Sequence, residues 1–114
     1  MTTYRPQQGD IILLEFDPQV GHEQRGRRPA FVVSNQTFNH FTNLAIVCPI
    51  TNSERRFPLH VSLDERTKTS GAIMCEQAKS LDLRARNACF LEEAPQDIIA
   101  EVIDILIASV EATN

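Results

Sequence analysis

Between two apolar runs the chain carries Gly21, His22, Glu23, Gln24, Arg25, Gly26, Arg27 and Arg28, followed by Pro29. Two glycines, three guanidinium groups and one carboxylate in eight residues describe a polar loop that ends where a strand begins. Such a loop can act on a charged substrate. Guanidinium donors match the oxygens of an anion two at a time, and a carboxylate or imidazole beside them can move a proton. The same composition also fits a solvated basic loop. The three histidines, His22, His40 and His60, stand apart in sequence. His22 adjoins Glu23 and is a proton-transfer candidate, whereas His60 falls within a strand-like stretch and reads as structural.

The chain around this loop has 114 residues, 42% of them hydrophobic, which suits one globular domain spanning 1–114 with its own core. No apolar run reaches the length of a membrane span, and the N-terminus lacks a signal-peptide pattern, so the expected location is the cytoplasm. Cys48, Cys75 and Cys89 are odd in number, widely spaced and without a C-x-x-C pair. That argues against a disulfide scaffold or a zinc site. The net charge is −4, but it is unevenly spread. Glu92, Glu93, Asp97, Glu101, Asp104 and Glu111 give the C-terminal stretch −6 with no base, which leaves +2 on the 91 residues before it. The body can therefore hold an anion although the whole molecule is acidic.

The elements that would position the loop read as follows. Gly9–Phe16 is an apolar run that predicts a strand buried on both faces, ending at Asp17-Pro18. Pro29–Ser34 predicts a second strand and Leu44–Thr51 a third, in which Pro49 suggests an edge or a bulge. Asn35–Asn43 suggests a short helical turn. Leu59–Leu63 and Gly71–Cys75 predict short strands, and one or two more are expected within Gln77–Ala88. The last element is a helix, with Pro95 suited to its first position and Asp97 to its first turn. Asp97, Glu101, Asp104 and Ala108 form a narrow stripe and apolar residues fill most of the rest, more than one sheet normally covers. The excess implies deep packing or a second surface for a copy of the chain or another protein. Short strands followed by a terminal helix predict a small β-barrel or curled sheet with a helix laid on it.

Gly9-Asp10, Phe16-Asp17-Pro18, Gly21-x-Glu23-Gln24-x-Gly26-x-Arg28-Pro29, Pro49-x-Thr51 and Glu76-Gln77-x-Lys79-Ser80 occur in that order. This series resembles the MazF/PemK family of bacterial toxin endoribonucleases, from about residue 5 to the C-terminal helix. The resemblance implies a mainly β fold with helices, an SH3-like β-barrel of CcdB/PemK type with a C-terminal α-helix. It also implies a homodimer, cleavage of single-stranded RNA at short motifs, a MazE-like antitoxin partner, and no required metal or other cofactor.

RNA can be cut without a metal when its 2′-OH attacks the adjacent phosphorus, leaving a 2′,3′-cyclic phosphate and a 5′-OH. The reaction needs a cation on the phosphoryl oxygens and groups to move two protons. The resemblance makes Arg28 the principal catalytic residue. Its guanidinium stays protonated, so charge stabilisation is its expected role. Thr51 enters through the matching Pro-x-Thr as a hydroxyl donor to the pentacoordinate state. Glu23 either accepts the 2′ proton or shapes the loop by pairing with Arg25 or Arg27. Arg25, Arg27, Asn35, Gln77, Lys79 and Arg86 are expected to follow the RNA strand, with Arg55, Arg56 and Arg84 as further cations near it. Aromatic stacking is scarcely available, since Trp is absent and Tyr4 is the one tyrosine. Two other classes remain: a gyrase-poisoning toxin of the same barrel type, as CcdB is, and a barrel that binds RNA without cutting it.

Overall fold

The computed structural model describes residues 4–16, 26–53 and 57–113. Seven antiparallel strands, β1 (Asp10–Glu15), β2 (Arg27–Val32), β3 (Ala45–Thr51), β4 (His60–Ser62), β5 (Ala72–Met74), β6 (Lys79–Leu81) and β7 (Cys89–Glu93), join two helices, α1 (Gln36–Thr42) and α2 (Gln96–Val110). The strand order is β4-β5-β3-β2-β1-β7, with β6 also paired to β3. Among the described residues no ladder joins β7 to β4, so the sheet curls without closing.

Alternation along the strands divides the core. Ile11 and Phe31 face one side with Cys48, Ile50 and Ile73, and α2 closes that side with Ile98, Ile99 and Val102. Ile12, Leu14, Ala30, Val32, Ala45 and Val47 face the other, capped by Leu81 and Leu83. The apolar run of β1 is thus buried on both faces, as its sequence predicts. Gly9 precedes it with φ +96°, and a Cβ there would collide with Ile99, so the chain enters β1 directly beneath α2.

Four sequence expectations change. Pro49 lies in a central strand instead of at an edge. β6 covers Ala45–Val47 and β5 covers Ile50 and Thr51, so Cys48 and Pro49 have no strand partner on that side. A residue without an N–H fits at this handover. Pro95 is the N-cap of α2, with φ −61° and ψ 149°, and the helix begins one residue later. β7 is an additional strand, with Leu13 opposite Cys89 and Ile12 opposite Phe90. The turn at Asn35–Asn43 is a full α-helix, capped at its start by the Asn35 side chain accepting from the Phe38 N–H at 2.9 Å. It ends at Asn43 in the left-handed region, φ 57°.

Candidate nucleic-acid interface

Arg28 is the second residue of β2 and is exposed, opposite Leu14 of β1. The β2–β3 ladder pairs Val32 with Val47, Phe31 with Cys48 and Ala30 with Pro49. Continued by two residues, this register sets Arg28 against Thr51, and period-two alternation sends both to the Ala30 and Val47 side of the sheet. Arg28 has no hydrogen-bond or ion-pair partner among the described residues. Thr51 is half-buried, and its Oγ1 accepts the Ser53 N–H at 3.0 Å. That bond occupies a lone pair and leaves the hydroxyl proton to be donated outward. Gly71 lets β5 come against Thr51. Its φ is +117°, and a Cβ would collide with the Thr51 carbonyl.

Lys79 lies on the same side, opposite Val47 of β3, with its Nζ 4.9 Å from the centre of the Phe16 ring. Gln77 is exposed at the end of the 3₁₀ turn Cys75–Gln77, which passes Cys48 and Pro49 on its way to β6. The end of β2, the end of β3 and the start of β6 therefore gather a guanidinium, a hydroxyl, an amide and an ammonium around one rim of the sheet. Negatively charged oxygens along a flexible chain suit this set.

The remaining candidates are placed differently. Arg27 faces away from Arg28, as neighbouring strand residues must. It donates to the Asn87 carbonyl at 2.7 Å and to Cys89 Sγ at 3.4 Å, which ties β2 to the start of β7. Its Nε is buried without a hydrogen-bond partner. Arg86 donates to the carbonyls of Glu15 and Phe16 and closes the end of β1. Asn35 caps α1 beyond the far end of β2, which at Val32 is already four strand steps or roughly 13 Å from Arg28. An open groove of about 960 Å³ lies there, between Tyr4–Pro6, α1 and the turn at 82–88. His22, Glu23, Arg25, Arg55 and Arg56 lie outside the described residues. His40 is exposed on α1, and among the described residues no group of three or more His, Cys, Asp or Glu is placed to hold a metal ion.

Two features had no sequence signal. Phe16 forms a half-buried platform under Lys79, although it reads as core. His60 Nε2 lies 3.0 Å from Glu76 Oε2, a contact between residues 16 apart that no spacing announces.

Residues 7–110 match the family described as the PemK-like, MazF-like toxin of type II toxin–antitoxin systems. The chain belongs to the PemK/MazF toxin family. It is 39% identical to the Escherichia coli endoribonuclease PemK over 101 residues, covering 85% of this chain and 76% of that one. A crystal structure of Deinococcus radiodurans MazF superposes with TM-score 0.82 at 41% identity, over 95% of this chain and 98% of that one. A structure of the MazE–MazF complex from the same organism gives TM-score 0.82 at 34% identity, over 97% and 100% of the two chains. The curled sheet with its C-terminal helix is thus the fold of MazF.

Proposed function

We propose that this chain is a toxin endoribonuclease that cuts single-stranded RNA by attack of the 2′-OH on the adjacent phosphorus, without a metal ion. The observation that supports this reading is the β2–β3 register, with Ala30 opposite Pro49 at the end of the ladder, which when continued by two residues sets Arg28 against Thr51. The Arg28 guanidinium takes the charge that develops on the phosphoryl oxygens, and the Thr51 hydroxyl donates a second hydrogen bond to the pentacoordinate state. Glu23 either accepts the 2′ proton or shapes the loop before Arg28. Arg25, Gln77 and Lys79 hold the strand and Asn35 contributes where it extends beyond the rim, while Arg27 and Arg86 are committed to carbonyls of the fold. Endoribonuclease names among its relatives, PemK included, support the substrate class.

The 1–114 chain acts as one domain, in the cytoplasm, and pairs with a second copy. Ile107 and Val110, 51% and 83% exposed at the end of α2, support that contact. A MazE-like antitoxin covers the Arg28–Thr51 rim with an acidic or apolar tail and competes with RNA, in keeping with the Deinococcus radiodurans complex.

The deciding experiment incubates the protein with a defined pool of single-stranded RNA in EDTA and sequences the new ends. Short recurrent cut motifs with 2′,3′-cyclic phosphate and 5′-OH termini are expected. Equal cutting of a substrate with 2′-deoxyribose at the cleavage position overturns the reaction. Growth arrest that survives both Arg28→Ala and Thr51→Ala redirects the chain to a target such as gyrase.

A further inference from the structure

The crossing from β5 to β6 is held from outside itself. β5 leaves β3 at Ile73 and β6 rejoins it at Lys79, so the residues between have no strand partner on β3. Their own structure is the 3₁₀ turn Cys75–Gln77, closed by a long bond from the Ala78 N–H to the Cys75 carbonyl at 3.4 Å. One such turn is weak support for the exposed Gln77 and Lys79 side chains that follow from it.

His60 supplies the missing support. Its Nε2 meets Glu76 Oε2 at 3.0 Å, and its side chain is only 3% exposed. The ring is fixed in turn: His60 pairs across the ladder with Met74, its N–H donates to the Phe57 carbonyl at 3.0 Å, and the Phe57 ring meets it edge-on at 5.2 Å. The second ring nitrogen, Nδ1, is buried and has no hydrogen-bond partner. A buried imidazole with one nitrogen unsatisfied is a poor device for stability alone, because an apolar side chain of similar volume would fill the space without that cost. The bond to Glu76 is what the imidazole adds.

We infer that His60 is a positioning residue. Through Glu76 it fixes the Cys75–Gln77 turn so that Gln77 and Lys79 face the ribonucleotide chain beside Arg28 and Thr51. It also holds the Glu76 carboxylate against β4, where that charge does not oppose the phosphates reached by the next residue. The inference rests on the RNA reading of this rim and goes beyond it by making strand binding depend on β4.

The test separates binding from cutting. His60→Leu keeps the apolar volume and removes the donor. His60→Gln returns an N–H at similar reach. Glu76→Ala breaks the contact from an exposed turn and serves even where His60→Leu does not fold. Two quantities are read: the affinity for an RNA oligonucleotide blocked by one 2′-deoxyribose, and KM and kcat on its cleavable counterpart. His60→Leu and Glu76→Ala are expected to weaken binding and raise KM about tenfold, the scale of one charge-assisted contact. kcat should stay within about twofold, and His60→Gln should recover most of the loss. Wild-type affinity in a folded His60→Leu or Glu76→Ala protein overturns the inference, as does a fall in kcat at unchanged KM or a loss that Gln does not rescue. A wild-type chain that binds RNA without cutting it ends the proposed reaction alone, and the affinities still decide the role of His60.

Discussion

Two neighbouring arginines divide the work at the start of β2. Leu14 opposite Arg28 and Glu15 opposite Arg27 show that the two side chains leave the sheet on opposite faces. One guanidinium has no partner among the described residues and lies where the β2–β3 register, continued, meets Thr51, and the other is tied to the Asn87 carbonyl. Arg28→Lys should keep the charge and lose the two-pronged donor geometry, lowering the single-turnover rate by about tenfold to a hundredfold with an unchanged melting temperature. Arg27→Ala should destabilise by about 1–2 kcal/mol, because a carbonyl and its anchoring strand lose their donor. Rates on a short RNA, together with thermal melts of both variants, check this division. The sequence singles out Arg28 through the motif around it, but it cannot say which of two adjacent arginines faces the rim, because side-chain type is the same and only register decides. The cysteines allow a second test at this scale. Burial, then the charges of Cys75 and Glu76, push the Cys48 thiol up to about 12; burial and the charges of Glu76 and Glu101 push Cys75 up to about 11. Neither should react with iodoacetamide at pH 8 in the folded protein, and both should react in denaturant, as peptide mass spectrometry would report.

The rim depends on elements held by the 64–70 connection. Glu92 of β7 accepts from the Lys68 N–H at 3.0 Å, the Thr69 N–H at 2.7 Å and the Thr69 hydroxyl at 2.8 Å. Arg66 forks between Asp64 and Asp97, which joins the same connection to the first turn of α2. Desolvation raises the Glu92 carboxyl, but these donors outweigh it and hold the group below its ordinary range. Arg66 lowers Asp64 and Asp97 in the same way. A carboxyl held low in the folded state binds its proton less readily there than in the unfolded chain. Its stabilisation is therefore present above the unfolded pKa, near 4, and is lost as pH falls through the folded value. Unfolding midpoints should fall as pH drops from 5 to 3. Glu92→Gln should lower stability by about 1 kcal/mol at pH 7, a modest figure because the site is largely solvated, and should flatten the acid limb measured by denaturant titration at several pH values. This connection reads from sequence only as a polar loop, since its partners are 23 to 31 residues away. β1, β2 and β3 were legible as long apolar runs between turn residues. β7 was not, because Phe90 and Leu91 are 48% and 43% exposed and its five residues lack the alternation of a strand with one buried face.

Charge is sorted by face in the whole molecule. α2 packs by Ile98, Ile99 and Val102 on one side of the sheet, while Arg28 and Thr51 stand on the other. Glu101 is exposed on α2 close enough to act on Cys75, at the turn that leads to Gln77, whereas a helix and a sheet separate the exposed Asp104 and Glu111 from Arg28 and Thr51, on the order of 20 Å. The screening length is about 8 Å at physiological ionic strength and about 30 Å at 0.01 M. Asp104 and Glu111 should therefore be invisible to a bound strand at the first salt concentration and felt at the second. Replacing Asp104 and Glu111 by Asn and Gln should leave RNA affinity within about 1.5-fold at 0.15 M salt and tighten it about twofold at 0.01 M. Lys79→Gln, on the rim itself, should weaken binding at both and reduce the salt slope by about 0.7. Fluorescence anisotropy with a non-cleavable RNA at the two salt concentrations reads all of these. Equal tightening by the α2 variant at both would mean that the strand runs close to the helix, and the rim of β2, β3 and β6 would then not be the principal track.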